Sequence, residues 1–392
     1  MGYRRVLLAS EMYWPDVGGA ESANHLIAKK LAKSFEVDVI SGTNLPTSEV
    51  RDFHSYTCWP ALRSSFKFET WVRMASSFRS VRGLLSSADI VVIASHSILP
   101  LALLVKRANP TVRVVVHLHD YQPIATTSVI LSGMRPSMRN DILVELEEHG
   151  NVPKALASGV LRPLNVINRK AVIVADAVVC ESNRQKEIVC RSIPSSRNKV
   201  QVIYNPPPTL PEIKKEFSPV PSFLFVGGGS YVKGIRLIMS AIQALSREGF
   251  EFILAGSRLD RFRVPSQISG QVSVVGRIAQ ADLFTAYSRV HGLLFPSVSE
   301  EPLPYAVVES CLLKTMPVAS AAGGVVELLK GSPAEQFLFG PNDEKSMIES
   351  VRRLAATDES QLRVWGEDLR RHISEKLDSS SEDYIHLLTE LI

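Results

Sequence analysis

Two glutamates eight positions apart, Glu301 and Glu309, carry the strongest chemical signal in this chain. They belong to the segment Pro296-Ser-Val-Ser-Glu-Glu-Pro-Leu-Pro-Tyr-Ala-Val-Val-Glu309, which follows the apolar run His291-Gly-Leu-Leu-Phe295. The run has the character of a buried parallel strand, and residues 305–313 that of a helix. Glu301 then falls in the strand-to-helix loop and Glu309 in the helix's second turn. An open α/β sheet binds ligands there, outside the carboxyl ends of its strands. The helix start offers N–H groups and a positive dipole end to an anion such as a diphosphate. Glu309 could accept hydrogen bonds from hydroxyls such as those of a ribose. The plainer reading is a helix stabilised by acidic residues near its N-terminus. Spacing alone favours that reading, so other segments must decide.

Four more segments bring chemistry to strand ends. Tyr13-Trp-Pro-Asp-Val-Gly-Gly-Ala-Glu21 places Gly18 and Gly19 before a helix, where backbone can approach a phosphate or a sugar hydroxyl. It lacks the G-x-G-x-x-G spacing of a dinucleotide site, and a plain turn remains open. Val114-Val-Val-His-Leu-His-Asp120 ends a buried strand in His119 and Asp120; His117 fits a satisfied core histidine. No nucleophile elbow accompanies them, which argues against a hydrolase triad. Phe225-Val-Gly-Gly-Gly-Ser-Tyr-Val-Lys-Gly234 sets Lys233 before a helix, where a cation opposes the dipole unless an anion binds. Its spacing is not that of a Walker A loop. Ala321-Ala-Gly-Gly-Val-Val-Glu327 is a further glycine turn, either a tight connection or part of a cleft.

Strand-like runs at 6–9, 37–41, 90–94, 112–118, 172–180 and 200–203 position these segments. They alternate with helical patterns such as 20–33, the rhythm of βαβ units around a parallel sheet. After Tyr204-Asn-Pro-Pro-Pro-Thr-Leu-Pro211, a stiff linker, the rhythm restarts at 222–226, 250–255, 272–275, 292–295 and 316–319, with a helix at 235–247. The expected domains are 1–205 and 206–375, with a last helix at about 376–392 packing back on the first. A length of 392 residues exceeds what one core usually supports.

The balance of 44 basic and 40 acidic residues, net +4, argues against a dedicated nucleic-acid binder. Cys58, Cys180, Cys190 and Cys311 show no metal spacing and read as reduced thiols. No secretory signal is evident at the start, and the apolar stretch 90–105 is too interrupted to span a bilayer. A cytoplasmic location follows as an expectation. Residues 66–85 put Trp71, Met74, Phe78, Val81 and Leu85 on one stripe beside Arg73, Arg79 and Arg82. That pattern either lies on an anionic membrane, at the inner face, or packs on the core.

Taken together, these residues resemble the retaining glycosyltransferases of family 4. The resemblance rests on Gly18-Gly19-Ala20-Glu21, His119-Asp120, Val202-Ile-Tyr-Asn-Pro206, Lys233-Gly234, the Glu301/Glu309 pair, Ala322-Gly-Gly-Val-Val-Glu327 and Gly340-Pro-Asn-Asp343, in that order. It implies a GT-B fold, two Rossmann-like doubly wound domains facing a central cleft. It also implies transfer of a sugar from a nucleotide-diphosphate-sugar, UDP- or GDP-linked, to a sugar, glycolipid or other glycan hydroxyl, without a required metal or other cofactor. By resemblance, Lys233 meets the diphosphate, Glu309 the ribose and Glu301 the sugar hydroxyls. Amides around Leu303, Tyr305 and Ala306 hold phosphate, Arg277 and Ile278 lie near the base, Gly18, Gly19 and Gly228 approach the donor, and His119 faces the transferring sugar. The catalytic set so implied is His119, Glu301 and Lys233. An epimerase or phosphorylase of the same fold, or a nucleotide-sugar binder without turnover, are the alternatives. Two departures stand out: Gly228 sits where the family often has arginine, and Pro304 where it often has glycine.

Overall fold

The apolar runs that form the central strands are buried on both faces, as parallel strands flanked by helices must be, whereas the run 272–275 lies at a sheet edge with Val274 and Val275 exposed. In this computed structural model, residues 4–14, 18–44, 55–64, 66–95, 97–259, 264 and 266–392 are described. Residues 15–17 of the first glycine loop therefore lie outside the described residues. The first sheet contains β1 (Arg5–Ser10), β2 (Glu36–Ser41), β3 (Ser55–Cys58), β4 (Ile90–Ile93), β5 (Arg113–Leu118), β6 (Ala177–Cys180) and β7 (Val200–Val202). Its order is β3-β2-β1-β4-β5-β6-β7. The second contains β8 (Ser222–Val226), β9 (Glu251–Ala255), β10 (Val272–Gly276), β11 (Gly292–Phe295), β12 (Met316–Ser320) and β13 (Leu338–Phe339). Its order is β10-β9-β8-β11-β12-β13. Neighbouring strands run parallel in both sheets.

In each sheet the chain reverses its direction of winding between the first strand and a later one: β1/β4 in the first, β8/β11 in the second. Such switch points open the crevice where α/β proteins bind ligands. Lys233 follows β8 and Glu301 follows β11, so the second switch point lies between the two loops that carry them.

Helices cover both faces of each sheet. The helix Ser380–Glu390 buries Tyr384, Leu387 and Leu388 among Val6, Leu8, Val92 and Val115, on one face of the first sheet. The opposite face buries Met74, Val81 and Leu85 with Trp71 and Phe78 packed against them. The amphipathic stripe of 66–85 is thus engaged in the core, and Trp71 Nε1 donates to the Ser97 carbonyl at 2.8 Å. Only residues off the stripe, such as Phe66 and Val72, face solvent.

Three expectations need correction. The run 172–180 is not one strand: the helix Asn165–Val174 takes its first part and β6 its last. An apolar, β-branched run looks the same in a buried helix and a buried strand. The segment 66–85 is broken into helices Lys67–Ser77 and Arg82–Ser86. The helix expected at 235–247 stops at Ala244, ahead of Gly249 at φ 74°. The edge strands β3 and β13 escaped notice because they are short, four and two residues.

Candidate active site

The loop that carries Glu301 is fixed from three sides. The Glu301 carbonyl accepts from Gly324 N at 2.7 Å, within the turn that follows β12. The Glu300 carboxylate accepts from Gly323 N at 3.0 Å and from Arg184 Nη2 at 2.9 Å. Leu131 and Ser299 form an antiparallel bridge between the domains. The Glu301 side chain is itself satisfied: Oε1 accepts from Lys233 Nζ at 2.7 Å, Ser297 Oγ at 3.0 Å and Ser299 Oγ at 3.2 Å.

Gly234 explains why a Lys-Gly pair is needed at this turn. It sits at φ 84°, and a Cβ there would come within 1.9 Å of the Pro296 carbonyl oxygen. The chain after β8 must pass this close to the chain after β11 for Lys233 to reach Glu301. Gly228 is constrained in the same way, at φ 61° with a Cβ position 2.4 Å from the Ser257 carbonyl oxygen. An arginine at that position would need a different turn, so its absence follows from the local backbone path.

A cavity of about 510 Å³ opens between the domains. Gly18, Gly19, Lys233, Ile278, Tyr305, Ala306 and Glu309 all line it. Trp14, Pro208, Gln280, Leu283 and Pro304 complete much of the wall. The helix Tyr305–Leu312 points its N-terminus here, and first-turn amides of a helix have no acceptor within it. Burial raises the Glu309 carboxyl to about 7. Five expected residues do not line the cavity. Glu301 stands behind Lys233, Leu303 is buried in the second core, Arg277 is exposed, and Gly228 packs against the backbone at Ser257.

His119 is the fifth, and its surroundings are the main feature that sequence reading missed. Its Nδ1 meets Glu181 Oε1 in a short hydrogen bond, and its Nε2 meets Asn24 Oδ1 at 2.8 Å. Asn24 is held in this orientation because its Nδ2 donates to the Ala94 carbonyl at 2.7 Å. Both ring nitrogens therefore face acceptors and both must donate, which makes the ring an imidazolium. Burial disfavours that charge, but Glu181, aided by Asp120 and Glu21, outweighs it and raises the His119 pKa. Glu181 is opposed by burial too, yet His119 and His117 hold it down at about 2. His117, stacked on His119 with ring centroids 4.4 Å apart, is lowered to about 4 by burial and the neighbouring charge. His117, His119 and Glu181 also bring three metal-ligating atoms within 4.8 Å of one another. Asn205 Nδ2 adds a hydrogen bond to Glu181 Oε1 at 2.7 Å.

The two domains meet across the cleft through further pairs. Glu148 accepts from Arg258 Nη2 at 2.8 Å, Tyr231 N at 2.8 Å and Ser230 Oγ at 3.1 Å. Arg236 is paired with Glu147 at 2.6 Å. Arg236 is thus engaged by the first domain. These partners are far apart in sequence and carry no motif.

Two family models match the chain: Glycosyltransferase Family 4 over residues 17–209 and Glycosyl transferases group 1 over residues 220–357. No curated protein matches it. Among solved structures it is similar to a sucrose-phosphate synthase from Thermosynechococcus elongatus, with TM-score 0.74, 16% identity and 99% of each chain covered. It is also similar to the Anabaena protein HepE in complex with UDP and glucose, with TM-score 0.69, 16% identity and 99% and 100% of the two chains covered. The catalytic domain of starch synthase IV from Arabidopsis thaliana, bound to ADP and acarbose, gives TM-score 0.69 at 16% identity, covering 100% and 99%. The two facing parallel-sheet domains are the GT-B fold. With one family model on each domain, this chain belongs to the family 4, group 1 glycosyltransferases.

Proposed function

We propose that the protein moves a sugar from a nucleotide-diphosphate-sugar to an acceptor hydroxyl with retention of anomeric configuration. The observation that carries this reading is the convergence of Lys233, the amide end of the helix Tyr305–Leu312 and Glu309 on one interdomain cavity. Lys233 and those amides would stabilise charge developing on a departing nucleoside diphosphate, so the step needs no metal. Glu309 would take the ribose hydroxyls, and the apolar wall at Ile278 and Leu283 suits the base. Solved relatives of the same fold hold UDP, UDP-glucose or ADP, which supports this class of donor. Retention is drawn from the family resemblance. Attack on the face that the phosphate leaves fits a cavity with no nucleophile assigned in its wall. His119 would act as a fixed positive charge behind the helix Gly19–Leu31 rather than as a base, because it has no free nitrogen.

The test is a panel of UDP-, GDP- and ADP-sugars screened by thermal shift, then assayed for nucleoside diphosphate release. Release that depends on an added glycan or glycolipid acceptor supports transfer, and proton NMR of the product reads the anomeric outcome. Donor turnover to an isomer, with no acceptor dependence, would overturn the proposal in favour of an epimerase.

A pH dependence follows from Glu309. Ribose hydroxyls would donate to the carboxylate, so donor binding favours the ionised form and releases a proton below about pH 7. Donor KM should therefore fall as pH rises through about 7 and level off above it. In Glu309→Gln the profile should be flat and KM raised. An unchanged slope in that variant would remove Glu309 from the donor site.

A further inference from the structure

The first domain carries an apolar face that is left exposed among the described residues. On the helix Val152–Val160, Val152, Leu156 and Val160 are 56%, 54% and 69% exposed. They recur every four residues and so form one stripe. Leu161, Leu164 and Val166 prolong it at 37%, 38% and 49% exposure. Isolated exposed apolar residues are ordinary, but a contiguous patch of this kind marks an interaction surface.

Residues 151–174 include Lys154, Arg162, Arg169 and Lys170 and no acidic residue. Lys154 is paired with Glu145 of the adjoining helix Met138–His149. Beside the stripe, Arg162 and Arg169 wall a cavity of about 310 Å³ together with Met138, Pro163, Asn165 and Val166. The cavity adjoins the helix, because Gly159 packs against Ile142 and Met138. Arg162 is answered by buried Asp141 at 2.6 Å. Arg169 is not: its Nε is buried and has no hydrogen-bond partner among the described residues. Burial and the Arg162 charge together lower its pKa, the mark of a guanidinium lacking an anion. Two planar forks beside one cavity suit the oxygens of a phosphate monoanion or diester.

We propose that this face docks on an anionic lipid bilayer, with the Val152–Leu156–Val160 stripe entering the interface and a lipid phosphate held between Arg162 and Arg169. An apolar stripe with a basic flank matches the two attractions such a surface offers, apolar burial and headgroup charge. A free phosphate would account for the arginines but leave the stripe without a role. The site is separate from the segment 66–85, whose stripe lies in the core.

The experiment is co-sedimentation of the full chain with phosphatidylcholine vesicles, with and without phosphatidylglycerol. Binding is expected only to the anionic vesicles and to weaken in high salt. Leu156→Glu/Val160→Glu should lower partitioning by about tenfold or more, and Arg169→Gln by about fivefold. Each variant should keep the wild-type circular dichroism melt, since these side chains are exposed or unpaired. Reversing Arg73, Arg79 and Arg82 should change binding less than Arg169→Gln does. No binding to anionic vesicles would overturn the proposal. So would inorganic phosphate protecting the wild type but not Arg169→Gln against heat while the stripe variants still bind vesicles normally, which would assign a free-anion site. A dimer in solution that the stripe variants convert to monomer, without vesicle binding, would assign the face to a second copy.

Discussion

Lys233→Ala is expected to lower kcat/KM for the donor by about 10²–10³-fold, the usual effect of losing one preorganised charge that meets a developing anion. The same change should leave the fold nearly untouched. Lys233 is 37% exposed in its ion pair with Glu301, and exposed pairs contribute little to stability. Removing the ammonium does not strand the carboxylate either, because Ser297 and Ser299 hydroxyls still donate to Glu301 Oε1. Loss of activity and loss of fold are therefore separable in one variant. Lys233→Arg should recover only part of the rate: the turn at Gly234 sets where the side chain starts, and a planar fork does not replace a point charge at that distance. Steady-state kinetics with the best donor from the nucleotide-sugar screen, alongside a thermal melt, measures both quantities. A kcat/KM within twofold of wild type would remove Lys233 from the reaction.

The second domain's half of the site was legible because it is local. Lys233 and Glu301 each follow a recognisable apolar strand, and Glu309 lies within two turns of the next helix start. Strand, loop and helix signals within a dozen or so residues were enough to set these groups at the carboxyl ends of two neighbouring central strands. Of the first domain's half, only the glycine turn at Gly18 and Gly19 was legible. Asn24, His119, Glu181 and Asn205 come from a helix, the ends of two strands and a linker, and no spacing links them. The resemblance implies that His119 faces the transferring sugar, whereas both ring nitrogens are engaged by partners from elsewhere in the chain, Glu181 and Asn24. Glu181 carried no signal, as a single glutamate after a strand is ordinary. The interdomain pairs of Glu147 and Glu148 are equally non-local. The segment 66–85 shows a limit of a different kind. Its periodicity was read correctly as amphipathic, but periodicity does not say whether protein or lipid covers the apolar side.

Glu181→Ala should be the most destabilising single change in the site, costing about 3–5 kcal/mol, because it leaves a buried imidazolium without its counter-charge. Among the described residues Asn24 Oδ1 would remain as the ring's acceptor, and a neutral amide oxygen does not balance a buried cation. The ring would then lose its proton, and Asn24, whose orientation is fixed by its bond to the Ala94 carbonyl, would still demand a donor at Nε2. His119 would change from a cation to the Nε2–H tautomer, removing positive charge from behind the helix Gly19–Leu31, whose first turn lines the interdomain cavity. Activity should fall with stability, and the two losses are distinguished by pH. The Glu181 carboxyl, held at about 2 against 4.5 when unfolded, contributes stability present above pH 4.5 and lost as pH falls toward 2. The His119 ring is shifted upward from 6.5, so its contribution is full below pH 6.5 and is lost as pH rises through the folded-state value. The pair therefore stabilises the fold most between about pH 4.5 and 6.5. Denaturation midpoints of wild type and Glu181→Ala should differ most in that window and converge on either side. A uniform difference at every pH would mean that the variant loses packing rather than an ion pair. Glu181→Gln separates the cases further, since it keeps the volume and an acceptor while removing the charge. It should show a smaller loss than alanine and the same missing pH dependence.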